Sequence, residues 1–270
     1  MNIIPKKIHW CWLSGDPLPP LVQSCIKSWK RHFPDYEIIL WDMNRFDIHS
    51  VPFVEQACAA HKWAFAADYI RWYALYTEGG IYLDSDVKVF RSFDKFLNNS
   101  AFSGSLFYKC TTQEGETPPQ YWIEAECLGA EKGHPWMKKC LDAYKDVEFR
   151  LVNGVPDMGI ASVVITNACI PFGWKPIHVS KPWYLDEGIV IYPETYFAYP
   201  SRPLSIFHTH AVHICTNGWS QEQSSFKMKE DFLLPLRKWH KKVTTRYWIL
   251  KHWHTKRKKI QRRIIGLFNK

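Results

Sequence analysis

Two carboxylates stand two residues apart in an otherwise apolar stretch, "GGIYLDSDVKVF" over residues 79–90. If that stretch is one strand, Asp84 and Asp86 point to the same face and Ser85 points away. Like charges so close repel, and burial sharpens the cost. A Lys or Arg could offset them. A divalent cation does so with more charge, since Mg²⁺ and Mn²⁺ take carboxylate oxygens and leave positions open for phosphates. A second reading is a solvated turn after a strand, where Asp is common, and Asp-x-Asp alone is a weak motif.

Other groups could join that pair. Asp68 and Arg71 lie in the preceding apolar helix, spaced i, i+3 and so on one face; Arg71 can bind a phosphate or pair with Asp68 in an ordinary ion pair. His213, in "SIFHTHAVHICTNGWS" (205–220), is a candidate third ligand or, equally, a solvated or core-edge histidine. Trp10 and Trp12 end the first apolar run, where an indole could stack on a base. Together these parts suggest a nucleotide site in which a metal held by Asp84 and Asp86 binds a diphosphate as template and Lewis acid.

The elements that must position these groups follow from patterning. "KKIHWCWL" (6–13) reads as a strand running into the Gly/Pro loop "SGDPLPP". "LVQSCIKSWKRHF" (21–33) has helical spacing and "YEIILWD" (36–42) is a second strand. Residues 54–80 read as one helix closed by Gly79–Gly80, and 81–90 as the next strand. This alternation predicts an α/β layer with a mostly parallel sheet, whose ligands bind at the carboxyl ends of the strands. Further on, 100–108 reads as a strand and 121–135 as a strand and a turn, followed by a helix from Trp136 to about Tyr144. A strand at 188–200 ends in an aromatic loop.

Composition bounds the class. Of 270 residues, 46% are apolar, enough for a sizeable core, and most of the 14 Trp are expected to fill it. The eight Cys form no C-x-x-C, which argues against a zinc knuckle. Without an apolar run of signal or membrane-spanning length, the expectation is free thiols in a reducing cytoplasm. The net charge of +9 is uneven: residues 237–270 hold 13 Lys or Arg and no acid, leaving 22 basic against 26 acidic residues elsewhere. The basic tail, interleaved with Trp, Tyr and Ile, could bind nucleic acid, stand as a solvated helix, or lie on an anionic membrane. The acidic body, with no basic patch expected ahead of residue 237, argues against nucleic acid.

"KWAFAADYIRWYALYTEGGIYLDSDVKV", with "KKIHWCWLSGDPLPP", "GAEKGHP", "IVIYPETYF" and "HAVHICTNGW", resembles glycosyltransferase family 32, the DXD-containing sugar-binding family that includes bacterial capsular-polysaccharide enzymes and Och1-type mannosyltransferases. The resemblance runs from about residue 4 to 220. It implies a GT-A type fold, assigned to 1–225; the basic tail at 226–270, read as helical from its own pattern, lies beyond the resemblance. It further implies a nucleotide-sugar donor (UDP-galactose or UDP-glucose ahead of GDP-mannose), Mn²⁺ or Mg²⁺, and hexose transfer with retention to a glycan or lipid-linked glycan. The expected setting is the inner face of a bacterial membrane, reached through 237–270. Carried over by position, Trp12 stacks on the base, Asp68 and Arg71 hold the donor sugar and phosphate, and Tyr82, Asp84 and Ser85 line the donor. Asp86 ligates the metal with Asp84 and His213, and Trp219 closes over the diphosphate. Gly218 replaces the usual Ser, with Asn217 as a possible substitute. Among Glu124, Glu126 and Asp157, candidates for a carboxylate beneath the sugar, Glu126 is taken as catalytic; each also has a structural or acceptor-binding reading. An inactive sugar-binding relative is the alternative.

Overall fold

A computed structural model describes residues 3–108, 111–112, 115–116, 120–152, 155–197 and 208–214. In chain order the elements are β1 (Lys7–Cys11), α1 (Pro20–His32), β2 (Glu37–Trp41), α2 (Pro52–Ala59), α3 (Trp63–Glu78), β3 (Gly80–Leu83), β4 (Val87–Val89) and β5 (Ala101–Tyr108). There follow β6 (Thr111–Thr112), β7 (Gly115–Glu116), β8 (Gln120–Ala130), α4 (Pro135–Asp142), β9 (Leu151–Val152), β10 (Val155–Pro156) and α5 (Ala161–Cys169). The last three are β11 (Trp183–Tyr184), β12 (Ile189–Tyr192) and β13 (Ala211–His213).

A seven-stranded sheet in the order β11-β12-β5-β8-β3-β1-β2 forms the centre. β1, β2 and β3 are parallel neighbours, as are β5 and β12, while β8 runs antiparallel between β3 and β5 and β11 runs antiparallel at the edge. The sheet is therefore mixed, with five of its seven strands pointing one way. This is the α/β architecture that the resemblance implies. Both faces are covered, so the inner strands are apolar throughout rather than alternating. Ile8, Trp10, Ile81 and Leu83 pack in one core with Trp29 of α1 and Phe93 and Phe96. Cys11 and Tyr82 face the other core, with α2, α3, α4 and α5.

Three local expectations need correction. Residues 81–90 are not one strand: β3 stops at Leu83, a turn takes Asp84–Asp86 with Val87 N–H donating to Asp84 O at 2.9 Å, and β4 then leaves to pair antiparallel with β13 in a separate two-stranded ladder. Residues 54–80 are not one helix either, because His61 adopts φ 55°, a left-handed conformation that ends α2 before α3 begins. Third, the sequence pattern does not predict α5: seven of the nine residues of "ASVVITNAC" are buried, Ser162 and Thr166 among them, and four are β-branched, so it lacks the one-sided stripe of a surface helix. The ending at Gly79–Gly80 holds. Gly79 (φ 67°) caps α3 with its N–H on Leu75 O, and a Cβ on Gly80 would meet Lys7 O at 2.9 Å, so only glycine brings α3 and β3 this close to β1.

Candidate functional site

The turn between β3 and β4 sits at the carboxyl end of the parallel strands, where α/β sheets bind ligands. Asp84 and Asp86 converge here because the turn folds them together, not because a strand pleat aligns them. The third member arrives from far along the chain. β13 pairs with β4 so that His213 lies opposite Val87, and its Nε2 comes to 3.2 Å from Asp86 Oδ1. One ligand atom each from Asp84, Asp86 and His213 lies within 4.8 Å of the others. Two carboxylate oxygens and an imidazole nitrogen suit Mn²⁺ or Mg²⁺ with positions to spare.

Behind this cluster lies a buried ionic layer. Arg71 of α3 is 4% exposed. Its guanidinium donates to Asp68 Oδ1 at 2.5 Å and to the carbonyl of Ala125 at 2.6 Å, and stands 3.4 Å from Asp84 Oδ1. Its face also lies over the Tyr82 ring, 4.8 Å from the centroid. Burial works against the charged guanidinium, but Asp84, Tyr82 and Asp68 more than offset it and hold it protonated. Burial pushes Asp68 up to about 7 against the pull of Arg71. Burial also raises Asp84, with Arg71 and His213 opposing the shift and Asp86 adding to it.

The fourth carboxylate reaches the site through an irregularity in β8. Ser103 pairs with Leu128 and Ser105 with Ile123, so Glu124–Cys127 of β8 face Gly104 alone. Bulges of this kind re-aim side chains beside active sites. The freed backbone groups find partners one by one: Ser103 Oγ reaches the carbonyls of Glu124 at 2.7 Å and Cys127 at 3.3 Å, Arg71 takes that of Ala125, and Asp84 N–H donates to that of Glu126 at 2.9 Å. Glu126 is thereby turned inward. Its Oε2 accepts from Ala125 N–H at 2.9 Å and its Oε1 lies 3.5 Å from His213 Nδ1. Although burial opposes ionisation, the contact with His213 and the backbone N–H groups keep Glu126 below the usual range.

Among the described residues, Asp68, Asp84, Asp86 and Glu126 gather around Arg71 and His213. Burial raises Asp68 and Asp84, as it does for carboxyls crowded away from water. Carboxylate oxygens that converge in this way suit a divalent cation.

The remaining candidates divide. Trp12 is half-buried on the same sheet edge, its indole N–H closing the loop after β1 onto Asp16 O at 2.8 Å. Ser85 is half-buried in the turn itself. Trp10 and Tyr82, expected to touch the donor, are core residues: Trp10 packs edge-on against Trp29, and Tyr82 lies 1% exposed beneath Arg71. Glu124 is fully buried against Gly104, where a Cβ would come within 2.6 Å of its carboxylate, and Asp157 is exposed near the β9–β10 hairpin. Trp219, Asn217, Gly218 and the tail at 226–270 lie outside the described residues. The sequence reading missed Ser103 and the Ala125 carbonyl. Their only sequence signal is the small, polar run "FSGS" interrupting an apolar strand.

Residues 19–103 match the family described as glycosyltransferase sugar-binding region containing DXD motif, which bears out the resemblance read from the sequence. Among known proteins, the chain is similar to inositol phosphoceramide mannosyltransferase 3 of Schizosaccharomyces pombe, 31% identical over 138 residues. That match covers 50% of this chain and only 35% of the relative. Among solved structures it is similar to the PaToxG glycosyltransferase, at 19% identity and a TM-score of 0.44, covering 62% of this chain and 69% of that one. It is also similar to the galactosyltransferase LgtC in complex with donor and acceptor sugar analogs, at 15% identity and a TM-score of 0.43, covering 84% and 93%. At these scores the likeness is coarse, and the fold rests on the strand order itself.

Proposed function

We propose that this chain, which carries the DXD-type glycosyltransferase sugar-binding region over 19–103, transfers a hexose from a nucleotide-sugar to a hydroxyl of a glycan or lipid-linked glycan. The observation that carries this reading is the convergence of Asp84, Asp86 and His213 on one point, beside the buried Asp68–Arg71 pair. Asp86, Asp84 and His213 would hold Mn²⁺ or Mg²⁺, which supplies the positive charge that a departing nucleoside diphosphate needs.

The chain's own residues take distinct roles. Arg71 makes its contacts with Asp68, Asp84 and Ala125 O rather than facing open space, so it acts as a positioning residue that fixes Asp84 and the β8 bulge. Asp68 holds Arg71 in turn. Glu126 orients His213, which therefore presents its other nitrogen to Asp86. Trp12, half-buried after β1, would cover a base in this reading. The acceptor hydroxyl attacks as the sugar–phosphate bond breaks. If it does so on the leaving-group side, with retention, no protein nucleophile is needed and the leaving group itself takes the proton. Preorganised charge of this kind is often the largest catalytic contribution.

UDP-galactose and UDP-glucose remain proposals for the donor. The name of the S. pombe relative, a mannosyltransferase acting on a ceramide, favours a second reading with a mannosyl donor such as GDP-mannose and a lipid acceptor. That relative lends no support to a bacterial setting. Among the described residues, no helix is long and apolar enough to cross a membrane.

Donor hydrolysis without acceptor tests the proposal, screening UDP-galactose, UDP-glucose, UDP-N-acetylglucosamine and GDP-mannose with Mn²⁺ or Mg²⁺. Turnover of one donor that disappears with EDTA and in Asp86→Ala is the expected result. Silence with every donor, together with no Mn²⁺-dependent nucleotide binding, would favour the inactive sugar-binding alternative.

A further inference from the structure

A second charged region lies outside the site, on the outer face of α1 and the strand beneath it. α1 contains no acidic residue, and Lys27, Lys30 and Arg31 are exposed along one side of it. Three hydrogen bonds clip the helix to β4: Trp29 Nε1 donates to Val87 O at 2.8 Å, Val89 N–H to Ser28 Oγ at 3.1 Å, and Lys88 Nζ to Ser24 O at 2.5 Å. They run in step along the two elements and bring Lys88 alongside the helix, with Phe90 exposed just after β4. Burial lowers the pKa of His32, and Arg31 and Lys88 lower it further, as expected where cations gather. Among the described residues, Lys27, Lys30, Arg31 and Lys88 form no ion pair; Lys62, Lys132, Lys139 and Lys145 form none either, so what sets the first four apart is that they gather on α1 and the strand clipped to it.

A favourable interaction with the helix C-terminus accounts for Lys30 and Arg31, but not for Lys27, nor for Lys88 on a different element. The expectation of no basic patch ahead of residue 237 therefore fails. Residues far apart in sequence make a patch only once β4 docks on α1.

We propose that the α1–β4 surface docks on an anionic lipid bilayer, with Lys27, Lys30, Arg31 and Lys88 facing the headgroups and Phe90, 44% exposed, entering the interface. Charge complementarity selects an anionic partner, and shape selects among anionic partners. Single-stranded nucleic acid is held in a groove that tracks its backbone, and a convex helix face offers none. A planar membrane needs only cations at one height with an apolar residue among them. β4 begins one residue after Asp86, so a membrane bound here lies beside the rim of the site. The inference stands apart from the donor-binding reading and from the tail at 237–270.

The test uses the full chain and vesicles of phosphatidylcholine with and without phosphatidylserine. Each cation near an anionic surface contributes about fivefold in binding, so neutralising three lowers partition about a hundredfold. K27Q/K30Q/R31Q is expected to show that loss on phosphatidylserine vesicles. K132Q/K139Q/K145Q, which removes the same charge from exposed positions elsewhere, is expected to stay within about threefold of wild type. Any contribution of the tail is common to both variants. Phe90→Ser, which leaves every charge in place, is expected to weaken binding about tenfold. Equal losses in the two triple variants, no loss in either, no salt-sensitive binding of the wild type, or tighter binding to a single-stranded RNA than to the anionic vesicles would each overturn the proposal. Donor hydrolysis in the same variants is expected to be unchanged, which separates failure here from failure of the proposed function.

Discussion

Two buried polar clusters sit on the same parallel strands and are built on opposite terms. Around His9 of β1, everything balances. The ring is fully buried, Nδ1 accepts from Trp41 Nε1 at 3.0 Å, and Nε2 donates to Gly79 O at 2.9 Å. Burial lowers its pKa and keeps it neutral, so no charge is left over. At the strands' carboxyl ends, Arg71 meets Asp68 and Asp84 while His213 meets Asp86 and Glu126, so four carboxyls crowd together. The first cluster ties β1, β2 and the end of α3 together and asks for nothing more. The second crowds like charges, a cost that a divalent cation would relieve. Buried polarity thus marks a candidate site here where carboxyls converge, not merely where it occurs.

That contrast can be broken at several points. Asp86→Ala should abolish donor turnover, by about a thousandfold or more, while leaving thermal stability equal or higher, since it relieves like-charge crowding. A matching loss of stability would show that Asp86 is structural. Arg71→Met should destabilise the fold by about 3–5 kcal/mol, because it strands Asp68 and Asp84 in the interior; denaturant unfolding measures this, and a change under 1 kcal/mol would mean that the carboxylates are already protonated. Mn²⁺ at about a hundredfold over its dissociation constant should raise stability by about 2.7 kcal/mol, and Asp86→Ala should erase that gain. His9→Phe should cost about 1–3 kcal/mol by leaving the Trp41 N–H and Gly79 carbonyl unpaired, with donor turnover per folded molecule unchanged.

The smallest effect concerns His210, a second neutral buried histidine. Its Nδ1 donates to Ser92 O at 2.8 Å, and burial pushes its pKa down to about 4. Above pH 6.5 the ring is neutral folded or unfolded. Between 6.5 and about 4 the unfolded chain takes up a proton that the folded chain does not. Stability should therefore fall by about 2 kcal/mol as pH drops through that window, and His210→Phe should flatten this part of the profile. An unchanged slope would remove His210 from the comparison.

Much of the site was legible because its parts are local. Asp84–Ser85–Asp86, and Asp68 with Arg71 one helical turn apart, are chemistry within a 19-residue span that also lies inside the matched region. Their neighbours were harder. Trp10 and Tyr82 look like ligand-facing aromatics from position alone, but strand alternation turns both into the two cores. Glu126 and Glu124 are indistinguishable in sequence. The loop-out of β8 opposite Gly104 sends one toward His213 and buries the other against β5, and no local propensity encodes a register shift between distant strands.

The sequence by itself determined the helices and strands that carry strong periodicity, the Gly79–Gly80 close, and the acidic pair with its arginine. These follow from short-range spacing and backbone sterics. Only the tertiary structure decided that Asp84 and Asp86 meet in a turn, that His213 and Glu126 complete the cluster, and that Lys27, Lys30 and Arg31 of α1 meet Lys88 of β4. Those outcomes depend on pairing between segments up to about 130 residues apart (Asp84 and His213), which is set by how whole elements bury their apolar faces against one another.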